Sequence, residues 1–349
     1  MSSPYDSLPD SAFWRTGVVG GDPARPSGLY VPKFPVTRKT GIMTAGSCFA
    51  QHVHRNLRDR DWSVIDTETP IGTFPDATLA RFGYGMYSAR YGNIYTVRQL
   101  VQLLGEAFGH ANPSDLIWTR DGRYFDAQRP NVEPDGLENA AHVEEARAAH
   151  LKAVTRAVEQ ADLFVFTLGL TEAWMHAPSG TVYPTAPGTI AGKYDSDIHR
   201  FHNFSYDEIM ADLARARDLL QTVKPSIKML LTVSPVPLTA TATGGHVLAA
   251  STYSKAVLRA AAGAFSAAHE DVDYFPSFEV IINPAARSAF YKPNLRSVDE
   301  AGVAAAMHLF FAAHDPDHAD VALAPRAPVD DVEEDDVVCE EVLIEAKRS

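Results

Sequence analysis

Cysteine is almost absent from this chain: Cys48 and Cys339 are the two examples in 349 residues. Two thiols far apart do not make a disulfide framework, which fits a reducing compartment and leaves Cys48 as a thiol. Long apolar runs are missing too, and none approaches the roughly 20 residues of a transmembrane helix. Residues 1–14 lack the basic stretch followed by an apolar stretch of a signal peptide. A cytoplasmic protein without a membrane span is therefore expected. Positive charge is scarce, with 31 Lys and Arg against 44 Asp and Glu. No basic stripe is available to neutralise phosphates, which argues against nucleic acid as a partner. No Gly-x-Gly-x-x-Gly or Walker loop follows a predicted strand, so no nucleotide cofactor is expected. The 13 histidines show no metal-ligand spacing, and no metal is expected.

What is present begins with an ordinary globular composition, 46% apolar, enough to bury a sizeable core. The net charge of −13 is unevenly spread, because Asp330 to Ser349 carries nine acids against Lys347 and Arg348. Residues 327–349 read as an acidic disordered tail. Its Val337, Val338, Val342, Leu343 and Ile344 suggest an interaction role toward a protein partner. Residues 1–38, rich in Pro and Gly, read as an arm packed on the domain, and 39–326 as the domain itself.

Within that domain strands alternate with helices. Strands are expected at 41–45, 62–66, 163–168, 227–233 and 272–275. The run 163–168 is continuously apolar but for Thr167, as in a strand buried on both faces. Helices are expected at 49–60, 95–108, 139–160, 206–223 (with Ser205 as N-cap), 246–269 and 301–313. Such alternation implies parallel pairing through right-handed crossovers, hence an α/β three-layer sandwich with a mostly parallel sheet. The long insertions 71–98 and 177–204 interrupt it, and the second, rich in Gly, Pro and Tyr, reads as a lid.

Ligands of open parallel sheets bind at the carboxyl ends of the strands. Four polar segments fall there: Gly46-Ser47-Cys48, Gly169-Leu170-Thr171-Glu172, Ser234-Pro235-Val236-Pro237 and Ser277-Phe278-Glu279. Capping also places Ser and Thr at such junctions. The first segment turns a strand into a helix, where Gly permits a tight turn and the helix dipole favours a thiolate. Equally, Cys48 serves as a small buried apolar residue and Ser47 as a cap. Tyr84, Tyr87, Tyr91 and Trp174 line a sugar or acyl pocket or belong to the core.

The string Thr44-Ala45-Gly46-Ser47-Cys48-Phe49-Ala50 contains the five-residue signature of the GSCFA family. Further stretches resemble that family: Ser88 to Tyr95, Thr167 to Trp174, Thr232 to Pro237, Tyr253-Ser254-Lys255 and Tyr274 to Glu279. The resemblance runs from about Gly41 to His308. It implies an SGNH-like, flavodoxin-like sheet, in a family some of whose members are associated with bacterial polysaccharide biosynthesis.

SGNH hydrolases open with Gly-Asp-Ser, the Ser being the nucleophile. The resemblance then places Cys48 at the nucleophile position, as in a capsular-polysaccharide acetyltransferase family that begins Gly-Asn-Cys-Gln, and Ser47 where the Asp stands. Thiolates attack esters without strong base assistance. Gly169, Thr171 and Glu172 match the Gly-x-Asn-Asp block, with the Thr171 hydroxyl as an oxyanion donor, and Gly72 is a candidate for the second-block glycine. The closing Asp-x-x-His is replaced by Asn294-Leu295-Arg296-Ser297-Val298-Asp299-Glu300, which has no histidine. His246 is then the first choice of base, oriented by Glu279 or Glu172; His52, which shares a helix face with Cys48, and His199 and His202 are alternatives. The implied activity is ester hydrolysis or acyl transfer on a carbohydrate or polysaccharide precursor, with acyl-CoA as a candidate donor and no resident cofactor. A non-catalytic glycan-binding or scaffold protein on the same fold is the competing expectation.

Overall fold

The computed structural model describes residues 3–318 and residue 344. The tail expected at 327–349, with Cys339, therefore lies outside the described residues, Ile344 apart. Strand β1 (Ile42–Gly46) leads into α1 (Phe49–Arg58), followed by α2 (Asp76–Arg81), α3 (Val97–Ala107) and a hairpin of β2 (Ile117–Arg120) and β3 (Arg123–Asp126). Then come α4 (Ala140–Gln160), β4 (Leu163–Leu168), three short strands β5 (Glu172–His176), β6 (Thr181–Tyr183) and β7 (His199–Asn203), and α5 (Tyr206–Val223). The chain continues through β8 (Lys228–Val233), α6 (Val247–Ala268), β9 (Val272–Tyr274), α7 (Ser277–Ile281) and α8 (Glu300–His314).

The main sheet has the order β1-β4-β8-β9, and all its pairs are parallel. Residues 62–66, expected as a full strand, make a parallel bridge of Val64 to Ile42 beside β1. The Ile42 N–H donates to Ser63 O and the Ile65 N–H to Ile42 O, after which the segment diverges. Counting that bridge, the order is the flavodoxin-like 2-1-3-4-5. The α/β three-layer architecture is thus present.

Alternation along β4 divides the core. Phe164, Phe166 and Leu168 face a layer built by α3, α4, α5 and α6. Leu163 and Val165 face α1, α7 and α8 on the other side. Because side chains of successive strand residues point to opposite faces, a strand covered on both is apolar at most positions, as β4 is at all but Thr167. The caps follow the sequence: Ser205 and Glu208 form a capping box on α5, and Thr96 and Gln99 form one on α3.

Two features depart from the sequence expectation. Residues 117–126 form an antiparallel hairpin around Asp121-Gly122, both with positive φ (51° and 75°). The stretch 177–204, expected as a lid, contributes β6 and β7 to an antiparallel sheet with β5. That sheet is tied to α3 through Gln102, whose amide bonds both the N–H and the C=O of Val182. In the amino-terminal arm Tyr30, Phe34 and Val36 are buried against the domain, whereas Phe13 and Trp14 are exposed. No helix of the described residues is long and apolar enough to cross a membrane.

Candidate active site

The turn from β1 into α1 is built by Gly46, Ser47 and Cys48. Gly46 has φ of 139°, and a Cβ there would run into the backbone of Thr167, its partner on β4. Only glycine permits this approach. The Ser47 N–H donates to Thr167 O (3.1 Å), and the carbonyls of Ser47 and Cys48 accept from Ala50 and Gln51 at 2.8 and 3.1 Å. Those bonds start α1, for which Cys48 is the N-cap. Cys48 is 5% exposed and belongs to the apolar cluster of α1, α7 and α8, while Ser47 is 2% exposed. The Ser47 hydroxyl is buried without a hydrogen-bond partner among the described residues.

A second wall comes from the β4 exit. The position of a Cβ at Gly169 lies 2.8 Å from Ser47 Cβ and 3.0 Å from Tyr95 O. The N–H groups of Gly169 and Leu170 both donate to Tyr95 O, at 3.1 and 2.9 Å. They are therefore committed, and neither faces a ligand in this arrangement. Thr171 is fully buried; its N–H donates to Ser254 Oγ at 3.0 Å, and its carbonyl accepts from Phe204. Its hydroxyl, like that of Thr167, is buried and unpartnered among the described residues. Such buried orphans are rare, since each costs about 1–3 kcal/mol. The β8 exit joins this group: Ser234 N–H donates to Leu168 O at 2.8 Å, and Tyr291, just before the segment that replaces Asp-x-x-His, donates its hydroxyl to Pro235 O at 3.0 Å.

The GSCFA family profile matches residues 41–310, which spans all of these segments. The chain belongs to the GSCFA family. No curated protein matches it. Among solved structures, an acetyl xylan esterase, Est2A, from the rumen bacterium Butyrivibrio proteoclasticus is similar at 12% identity and a TM-score of 0.25, over 70% of this chain and 56% of that one. The chain thus spans little more than half the length of that esterase.

In this GSCFA domain the remaining sequence candidates lie on separate helices, strands and turns. Glu172 opens β5, and its Oε1 accepts from the Thr241 hydroxyl at 2.8 Å, fastening the loop between β8 and α6. Burial raises its carboxyl above the ordinary value, opposed by bonds from Thr241 and the Ala242 N–H. His246 is exposed and caps α6, its Nδ1 accepting from Leu248 N–H at 3.1 Å. An imidazole that accepts at Nδ1 carries its proton on Nε2, so in this arrangement Nε2 is a donor. Glu279 bonds Arg259 and, at 2.8 Å, the Tyr274 hydroxyl. The expected pairing of His246 with Glu279 or Glu172 is accordingly not formed. Gly72 sits in an exposed turn with φ of 107°. The His52 ring lies 5.8 Å from that of Phe49. On β7, His199 Nδ1 accepts from Asp195 N–H, and His202 Nε2 lies 2.8 Å from Glu208.

Gln51, Asn93 and His54, which the sequence did not single out, lie beside the GSCFA turn, together with Tyr87, one of the aromatic candidates. Gln51 Nε2 donates to Tyr87 Oη and Asn93 Oδ1 at 3.2 and 3.1 Å, and the Tyr87 hydroxyl lies 2.5 Å from Asn93 Oδ1 and 3.1 Å from Ser47 O. The Ile94 N–H donates to Gly46 O at 2.8 Å. This buried network holds the 87–94 segment against the turn. Behind the turn, His54 Nδ1 is 2.8 Å from the Thr44 hydroxyl, and burial, then Arg58 and Arg55, push its pKa down to about 3. No group of three or more metal-ligating side chains occurs among the described residues.

Proposed function

We propose that this GSCFA protein is an acyl-ester enzyme, a hydrolase or acyltransferase acting on a carbohydrate or polysaccharide precursor through an acyl-enzyme on the Ser47–Cys48 turn. The observation that carries the reading is the group of unpartnered buried hydroxyls where β1 and β4 end, Ser47 Oγ, Thr167 Oγ1 and Thr171 Oγ1, with Gly169 abutting Ser47. A polar group without a partner is a cost the fold tolerates where a ligand supplies the missing bond. Cys48 stands at the nucleophile position by resemblance and is the N-cap of α1. In this reading the Thr171 hydroxyl donates to the developing oxyanion. Glu172, whose carboxyl burial holds above its ordinary value, stands next to Thr171 at the β4 exit. His246 serves as proton acceptor only after releasing its bond to Leu248. Acyl-CoA fits as a donor of the acyl group.

The test replaces Cys48 and then Ser47 by Ala and assays hydrolysis of p-nitrophenyl acetate and acetyl-CoA. Loss of turnover in either variant supports the mechanism; unchanged turnover in both removes it. A second reading, a non-catalytic glycan-binding protein, is favoured by the 5% exposure of Cys48. Calorimetric binding of a glycan without ester turnover would select it.

A further inference from the structure

Lys255 is a lysine 6% exposed in α6, a position that such a residue occupies only with strong polar partners. Its ammonium donates to Gly169 O at 2.7 Å. The preceding residue, Ser254, is fully buried and accepts the Thr171 N–H at 3.0 Å. Adjacent residues of one helix thus grip two positions of the β4 exit, one by its carbonyl and one by its amide. From the other side Tyr95 O takes the N–H groups of Gly169 and Leu170. The turn that abuts Ser47 is therefore held between α6 and the segment leading into α3.

We propose that Lys255 and Ser254 form a clamp that fixes the Gly169–Thr171 turn against the Ser47–Cys48 turn, making Lys255 a positioning residue of the site. This inference deepens the acyl-ester reading and rests on it. A charge-assisted bond to a carbonyl is stronger and shorter than a neutral one. Its position at Gly169, the residue in contact with Ser47, sets the distance between the nucleophile-bearing turn and the Thr171 hydroxyl. A displacement of about 1 Å at such a place costs on the order of 100-fold in rate. Met at position 255 keeps the length of the stem and removes the donor; Ala at 254 removes the acceptor for Thr171.

The experiment measures kcat and KM for p-nitrophenyl acetate, with thermal melting as the control for folding, in wild type, Lys255→Met and Ser254→Ala. Folded variants are expected to lose about 100-fold in kcat with KM within about twofold. A merely structural role would move the melting temperature without that split. Wild-type kcat in a folded Lys255→Met or Ser254→Ala protein overturns the clamp. Should the wild type show no turnover dependent on Ser47 or Cys48, the acyl-ester reading is what fails, and amide hydrogen exchange decides the clamp instead. Exchange accelerated at residues 169–171 in either variant supports it, and wild-type exchange there overturns it.

Discussion

Gly169 and Ser47 are in contact across the β1–β4 junction: a Cβ on Gly169 would stand 2.8 Å from the Cβ of Ser47. The carbonyl of Tyr95 closes the same space at 3.0 Å. Neither neighbour is the far end of a flexible side chain. Gly169→Ala is expected to destabilise the fold by about 1–3 kcal/mol, the usual cost of overpacking, and to displace the Ser47–Cys48 turn. Chemical denaturation measures the first effect. A variant as stable as wild type would show that the turns are not in contact.

The polar network around Asn93 makes a separate prediction. Removing its side chain strips Gln51 and Tyr87 of the acceptor they share. Asn93→Ala should cost about 1–3 kcal/mol for the buried hydrogen bonds lost. Chemical denaturation checks this, and a variant as stable as wild type would contradict it.

His54 gives the fold a pH dependence of known sign. Its folded pKa is held down to about 3, whereas the ordinary value is 6.5. As pH falls below 6.5 the unfolded chain takes up a proton that the folded chain refuses. The contribution is therefore full above the unfolded pKa and is lost progressively as pH falls toward about 3. From this residue the slope rises from about half its limit at pH 6.5 to nearly the limit of about 1.4 kcal/mol per pH unit by pH 5. His54→Gln should flatten the acid limb of the stability curve measured by urea denaturation. Identical slopes in the two proteins would contradict this assignment.

Much of the sheet was legible because burial on both faces leaves a one-dimensional trace. Residues 163–168 and 227–233 are apolar runs, and both form central strands, β4 and β8. The segment 62–66, interrupted by Ser63 and ended by Asp66, bonds β1 around Ile42 and then diverges. The β2–β3 hairpin did have a local signal, the Asp121-Gly122 pair between short alternating stretches, whose two positive φ values suit a tight hairpin turn.

The site was legible only in part. Glycine at positions 46 and 169 marks the two close approaches, and the GSCFA signature points to the turn itself. The groups that brace it are distant in the chain: Gln51 and Asn93 are 42 residues apart, and Lys255 and Gly169 are 86 apart. No local pattern announces such pairs. His246 illustrates the converse, because its position before a helix fits a cap as well as a base, and the imidazole takes the Leu248 N–H.

The most direct test of the proposed chemistry is to look for the acyl-enzyme itself. Wild-type protein pulsed with p-nitrophenyl acetate and quenched in acid should carry an acetyl group, mapped by peptide mass spectrometry to Cys48 or Ser47 and absent when the modified residue is replaced by Ala. Turnover of the ester that persists in the Cys48→Ala, Ser47→Ala double variant, with no adduct on either residue in the wild type, would contradict the account.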